Sequence, residues 1–131
     1  MNPTVARSFL RVASAAPELR VADVAFNVTR IEACMQAAAG HGAAAVLFPE
    51  LSITGYTCGD LFAQALLHER AREALLQLAV ATQRHGIHAV VGLPFALNGR
   101  LYNCAGVIGE GRVLGLVPKV YLPTTAEYYE A

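Results

Sequence analysis

Two short apolar runs, residues 43–48 (AAAVLF) and 87–95 (IHAVVGLPF), constrain the fold most strongly. Both have the length and composition of strands buried on both faces within a sheet. Between them, the spacing of apolar side chains in residues 60–86 predicts one long or two short helices. Upstream, the apolar run 8–16 precedes residues 22–40, which also show helical spacing. The order strand, helix, strand predicts β-α-β units and therefore an α/β fold.

Local signals predict where these elements end. Gly40 is the expected C-cap of the first helix and Gly86 the stop of the second, while Asp60 is the expected N-cap of the second. After the second apolar run the pattern changes, because Asn98-Gly99 is the signal of a tight hairpin and residues 109–112 (GEGR) predict another turn. We therefore expect antiparallel strands to extend the sheet.

Composition narrows the class of protein. A chain of 131 residues suits one domain, and ten basic residues balance ten acidic ones without a block of like charge. Neither nucleic acid nor a membrane is therefore an expected partner. The three cysteines form no paired framework, and the amino-terminal residues lack the apolar core of a secretory signal. We expect a cytoplasmic protein.

Two isolated charges follow predicted strands. Glu50 comes directly after Phe48-Pro49, and Lys119 stands just beyond Val117-Pro118. Open α/β sheets place their ligand sites at the carboxyl ends of strands, so these two side chains are predicted to share one cleft. Position alone favours the alternative that they are separate surface charges at the starts of loops.

The order of the motifs favours the shared cleft. Residues 47–56 (LFPELSITGY) and, nearly seventy residues later, 111–123 (GRVLGLVPKVYLP) resemble the nitrilase superfamily of carbon-nitrogen hydrolases. With residues 101–110 and the terminal AEYYE, the chain resembles most closely the amino-terminal glutaminase domain of glutamine-dependent NAD synthetases, from about Leu10 to Glu130. The resemblance implies that residues 1–131 are the amino-terminal half of a nitrilase-like αββα sandwich, a partial glutamine amidotransferase domain without a second domain.

The resemblance also implies roles for individual residues. Glu50 would be the general base and Lys119 the cation that stabilises the tetrahedral intermediate, with a cysteine later in the chain as nucleophile. Glu130 matches the second glutamate of the family, which supports the lysine and the substrate amide. Tyr56 and Tyr128 match positions near the glutamine pocket.

The cysteines present are interpreted as structural. Cys34 lies on the first predicted helix, Cys104 alternates into a strand, and Cys58 lies in a loop motif expected beside a separate nucleophile. The chain by itself is thus expected to lack glutaminase activity. Thr125 departs from the family pattern, in which a tyrosine commonly stands at that position. The histidines are not accompanied by a set of metal ligands, so no metal is predicted.

The resemblance implies glutamine as substrate and no cofactor in this chain, whereas ATP and magnesium belong to the synthetase domain of the parent protein. The implied partners are the carboxyl-terminal half of the glutaminase domain, the synthetase domain and further copies in a homo-oligomer. Two alternatives remain open: a free-standing nitrilase-like amidase, and a catalytically silent interaction module with the nitrilase fold.

Overall fold

A computed structural model describes residues 9–122. The elements in chain order are β1 (Val12–Ser14), α1 (Val24–Gly40), β2 (Ala45–Leu47), a 3₁₀ helix (Gly59–Ala63), α2 (Ala65–His85), β3 (His88–Leu97), β4 (Arg100–Gly109) and β5 (Arg112–Pro118). The strands form one sheet in the order β1-β2-β3-β4-β5. The first three strands are mutually parallel, and β4 and β5 are added antiparallel, so the predicted α/β class is confirmed.

Both helices pack on the same face of the sheet. Each connects one parallel strand to the next in the same direction, and right-handed crossovers of this kind place their helices on one side. The core between the layers contains Ile31 and Met35 of α1, Leu78 of α2, and Val46 and Val91 of the sheet, all almost completely buried. The result is two layers, one of helices and one of strands.

The opposite face of the sheet, called here the open face, carries apolar side chains that remain in contact with solvent. Leu47 is 54% exposed and Val117 is 58% exposed. The prediction that β2 is buried on both faces is therefore wrong for residues 9–122. The reason is that both crossovers place their helices on the other side, and within the described part of the chain no second layer covers this face.

The helix ends differ in detail from the predicted caps. The first helix includes Gly40, and its C-cap is His41, whose N–H reaches carbonyls of the last turn before the chain turns at Gly42 (φ 78°). Asp60 is not the N-cap of α2, because it lies inside the 3₁₀ helix. The long helix starts only after Gln64, which has extended backbone and makes no capping side-chain hydrogen bond.

The predicted turns are confirmed. Gly86 ends α2 in the left-handed conformation with φ 66°. Asn98 and Gly99 join β3 to β4 with φ angles of 51° and 75°, and Glu110 and Gly111 join β4 to β5 with 55° and 79°. Two consecutive positive φ angles match the twist of a two-residue hairpin, so each turn holds its strands in a defined register.

An ionic cluster links the two helices at their outer surface. The Glu32 carboxylate of α1 accepts hydrogen bonds from Arg84 and, at 3.1 Å, from His85 Nε2, both at the end of α2. These bonds, with Arg84 contributing most, hold the pKa of the Glu32 carboxyl below its ordinary value.

We expect this cluster to contribute stability that depends on pH. A carboxyl whose pKa is depressed by folding stabilises the native state above its unfolded pKa and loses that contribution as the pH falls through the folded pKa. The free energy of unfolding should therefore decrease on acidification below about pH 4.5 by more in the wild type than in Glu32→Gln. Denaturant titrations at pH 6 and pH 3.5 would measure the difference, which should be small because Arg84 is half-exposed. Identical pH slopes would contradict the assignment.

Candidate active site

Glu50 and Lys119 form an ion pair at one end of the sheet. Lys119 Nζ lies 2.8 Å from Glu50 Oε1, although the two residues are 69 positions apart in the sequence. The side chains are 41% and 32% exposed, so the pair is reachable from solvent. The structure thus brings together the two charges that the sequence places at separate strand ends, and they are not independent surface charges.

Sheet topology explains why these residues meet. Since β4 is antiparallel to both of its neighbours, β5 runs in the same direction as β2 and β3 and ends at the same edge. Leu47, the last residue of β2, pairs with Val90 of β3. Pro118, the last residue of β5, pairs with Cys104 of β4, which in turn pairs with Leu93 of β3. The ends of β2 and β5 therefore lie only three residues apart along β3. The residues that follow β2 and β5 therefore emerge close together on either side of β3.

A third polar side chain, Asn103, completes the group. Its Nδ2 donates a hydrogen bond to Glu50 Oε1, and its backbone carbonyl accepts the Lys119 N–H at 2.8 Å. Asn103 is not among the site residues predicted from the sequence. The alternation of side chains along β4 could have identified it. Tyr102 and Cys104 pack toward the helices, so Asn103 between them places an amide on the open face of a largely apolar strand.

The loop that carries Glu50 packs directly on the backbone of β3. Gly92 N–H donates to Ser52 Oγ at 3.1 Å, and Ile53 N–H donates to the Gly92 carbonyl at 3.0 Å. A Cβ atom at Gly92 would lie 2.2 Å from the backbone nitrogen of Leu51, much closer than real contacts allow. Only glycine permits this approach, and the approach fixes the backbone next to Glu50.

Asn27 of α1 holds the same loop from the other side. Its side chain is completely buried, and its hydrogen bonds within residues 9–122 all join backbone atoms. Nδ2 donates to the carbonyls of Ile53 at 3.0 Å and Arg20 at 2.9 Å, and Oδ1 accepts the Arg20 N–H at 2.7 Å. Asn27 therefore ties the loop after β1 to the loop after β2, so the carboxylate stands on a segment anchored on two sides.

Gly92→Ala should disrupt this support. The added methyl group must displace the backbone of Leu51, and overpacking of this kind costs about 1 to 3 kcal/mol or more. We expect a loss of about 3 kcal/mol in the free energy of unfolding, measured by denaturant titration. Gly115→Ala on β5 is the matched control, since its Cβ would meet nothing within 4 Å. Equal stability of the two variants would show that the loop is not held against β3.

The three polar side chains border a shallow pocket of about 300 Å³. Most of its wall is apolar and includes Leu47, Phe48, Val90, Ala105 and Val117. Charges beside an apolar wall interact more strongly than charges in water, because the local dielectric is lower. A carboxylate able to accept a proton thus stands beside an ammonium group able to stabilise negative charge, and both face a space of small-molecule size.

The cysteines lie in structural environments. The Cys58 thiol is buried and donates to the Thr54 carbonyl at 3.2 Å. Burial raises the pKa of the Cys104 thiol, which disfavours its thiolate form. Cys34 is partly buried against the core. That none of the three is a nucleophile stays a prediction.

Of the other predicted site residues, Tyr56 alone falls within the described part of the chain. Tyr56 is partly buried in the loop between β2 and the 3₁₀ helix, and it is not among the pocket-lining residues of the described part of the chain. Tyr128 and Glu130 lie outside the described residues, as does Thr125. Their roles stay predictions.

Residues 9–122 contain neither a cluster of metal ligands nor a membrane-spanning helix. No group of three or more His, Cys, Asp or Glu side chains is placed to hold a metal ion there. None of the helices in that range combines the length and the apolar character needed to cross a bilayer.

Comparison with known proteins gives consistent matches. Residues 11–131 match the carbon-nitrogen hydrolase family. The glutamine-dependent NAD(+) synthetase of Mycobacterium tuberculosis (strain ATCC 25618 / H37Rv) is 39% identical over 122 residues, covering 93% of this chain and 18% of the relative. The enzyme of the same name from Xylella fastidiosa (strain 9a5c) is 40% identical over 123 residues, covering 93% and 22%. The chain therefore spans about a fifth of the length of these curated relatives.

Solved structures agree with this grouping. A glutamine-dependent NAD(+) synthetase from Cytophaga hutchinsonii superposes with a TM-score of 0.83 at 32% identity, covering 87% of this chain and 19% of that one. An amidase variant from Nesterenkonia sp. AN1 superposes with a TM-score of 0.80 at 27% identity, covering 91% and 45%. That amidase shows covalent addition of the acetamide moiety of fluoroacetamide at its active site cysteine. These two solved structures thus share the fold of the five strands and two helices described above.

Proposed function

Because the chain belongs to the carbon-nitrogen hydrolase family, we propose that it supplies the general base and the cation of a glutamine-hydrolysing site in a glutamine-dependent NAD synthetase. The observation that carries the proposal is the Glu50–Lys119 pair beside an apolar pocket. Similarity to synthetases over 93% of the chain supports the choice of parent enzyme. In the parent, ammonia released here would amidate nicotinic acid adenine dinucleotide in a separate synthetase domain that binds ATP and magnesium.

The first step is attack on the amide. A side-chain amide is a poor electrophile, so the nucleophile is a cysteine thiol whose proton passes to Glu50 as its sulfur bonds to the carbonyl carbon. Negative charge develops on the carbonyl oxygen, and Lys119 stabilises it. The carbon–nitrogen bond then breaks, and ammonia leaves with the proton that Glu50 had taken.

The second step releases glutamate. Glu50, ionised again, removes a proton from water, and the resulting hydroxide attacks the thioester carbonyl. The carbon–sulfur bond breaks, and the sulfur regains a proton from Glu50. One carboxylate thus serves both halves of the reaction, which requires it to be reachable from the pocket and fixed in orientation.

The nucleophilic cysteine would come from another part of the parent enzyme. Two observations support a nucleophile outside this chain: Cys58 and Cys104 are buried, and the Cys58 thiol is hydrogen-bonded to the Thr54 carbonyl. We therefore propose that residues 1–131 alone have no glutaminase activity. Glu130, Tyr56 and Tyr128 are proposed to contact glutamine or to support Lys119 in the assembled site. Further copies of the parent enzyme, in a homo-oligomer, are the proposed protein partners.

One observation favours a second candidate, a free-standing amidase. The chain covers 45% of the Nesterenkonia amidase with a TM-score of 0.80, so the same half-domain serves a shorter enzyme. The chemistry at Glu50 and Lys119 would be the same. The difference lies in the fate of the ammonia, which an amidase releases to solvent.

Assays of the wild-type full-length protein separate these functions. A synthetase should form NAD from nicotinic acid adenine dinucleotide and ATP with either glutamine or free ammonia, and should release glutamate only with glutamine. A free-standing amidase would release ammonia from an amide and form no NAD with either nitrogen source. A catalytically silent module would do neither, and that result would overturn the proposal.

A further inference from the structure

We propose that Asn103 is a positioning residue that selects Oε2 of Glu50 as the oxygen that takes the proton. The inference rests on the proposed glutaminase function and goes beyond it, because it assigns the base to one atom and adds a residue that acts through Glu50. Its basis is that both hydrogen-bond donors on this carboxylate, Asn103 Nδ2 and Lys119 Nζ, meet the same oxygen, Oε1.

The two oxygens of Glu50 are therefore not equivalent. Oε1 accepts one hydrogen bond from the Asn103 amide and another from the Lys119 ammonium group, so its lone pairs are already engaged. Within residues 9–122, Oε2 accepts no hydrogen bond from the protein, and the Glu50 side chain lines the pocket and is 41% exposed. A proton arriving from a nucleophile in the pocket thus has one oxygen of the two ready to receive it.

Asn103 is suited to this task by where its backbone is held. It lies within β4, paired in register with Pro94 of β3, so its Cα cannot move independently of the sheet. Its carbonyl also accepts the Lys119 N–H at 2.8 Å, which fixes the start of the segment that carries the cation. One residue therefore aligns the base with its side chain and the cation with its backbone.

Lys119 alone could not fix the carboxylate. An ammonium group is a rotatable point charge on a flexible chain, and it attracts either oxygen of a carboxylate equally well. The planar amide of Asn103 donates along a fixed direction, so it restricts rotation of the Glu50 carboxylate and keeps Oε1 on the Lys119 side. Loss of the amide should leave the ion pair in place and make the two oxygens interchangeable.

The test uses the full-length protein and measures glutamate release from glutamine. Asn103→Leu removes the donor at similar volume, and kcat should fall by about 10-fold to 100-fold, the range for a hydrogen bond to a charged group, with KM little changed. Asn103→Asp keeps the shape but turns an oxygen toward Oε1, and should lower kcat at least as much. Gln36→Leu, which removes an exposed amide on α1, is the control and should have no effect.

A double-mutant cycle with Glu50→Gln shows whether Asn103 acts through the carboxylate. Once Glu50 is replaced, Asn103→Leu should cause no further loss in kcat. Losses that multiply would mean that Asn103 acts independently of Glu50 and would overturn the inference, as would wild-type kcat in Asn103→Leu. If Glu50→Gln alone leaves glutamate release unchanged, the proposed function fails instead, so the two failures are distinguishable.

Discussion

Glu50→Gln should lower glutamine-dependent NAD synthesis by the full-length protein by about 10² to 10⁴-fold, the usual contribution of a general base. Glutamine has nearly the same volume as glutamate and can still accept a hydrogen bond from Asn103 Nδ2, but its amide cannot remove a proton from a thiol. Synthesis from added ammonia should survive, because it does not require amide hydrolysis. The two rates would be measured on the same preparation.

The matched control for this substitution is Glu69→Gln, which makes the same change at an exposed position on α2 and should leave both rates unchanged. Parallel loss of the glutamine-dependent and ammonia-dependent rates in Glu50→Gln, with the fold intact, would contradict the assignment of Glu50 to a separate glutaminase site. Retention of both rates would remove Glu50 from the mechanism.

Lys119→Met should have the second-largest effect, a loss of about 10² to 10³-fold in the glutamine-dependent rate, comparable to removal of one oxyanion-stabilising group. Methionine keeps an unbranched apolar chain of similar length and lacks the charge. The ammonium stabilises charge that exists only in the transition state, so kcat and kcat/KM for glutamine should fall by equal factors. Steady-state kinetics of glutamate release would measure both.

Arg72→Met on the exposed side of α2 provides the comparison for Lys119→Met, because it also removes one positive charge. Its kinetic constants should match those of the wild type. An increase in KM at constant kcat for Lys119→Met would instead indicate that the lysine only binds glutamine, and would exclude its role in stabilising the tetrahedral intermediate.

Much of the sheet could be predicted from the sequence because its signals are local. The apolar runs around Val46 and Val91 and the Asn98-Gly99 turn each encode their conformation within a few residues. Position at strand ends raised the possibility that Glu50 and Lys119 share a cleft but by itself favoured separate surface charges, and the resemblance of the ordered motifs to the nitrilase superfamily decided for the shared cleft. The structure supplies the physical reason, because β2 and β5 run in the same direction and end at the same edge of the sheet.

Other features depend on contacts between distant residues and left weaker signals. Asn103 reaches a carboxylate 53 positions away, and alternation along β4 identifies its face but not its partner. Asp60 is a good capping residue, yet its segment forms a 3₁₀ helix that α2 follows only after Gln64. The exposure of Leu47 reflects which face the crossovers leave open, and an apolar run by itself does not encode that.

The two-residue turns on either side of β4 have a consequence for the order of folding. Strands joined by such turns can pair in about 1 to 10 µs, so the β3-β4-β5 meander can bring Asn103 beside Lys119 early, through contacts of short sequence separation. Glu50 arrives only when the crossover through the 21 residues of α2 closes and its loop docks over Gly92. When the complete chain refolds, we therefore expect Lys119 to be held in place before Glu50 reaches it, so that a partly folded chain positions the cation without its carboxylate partner.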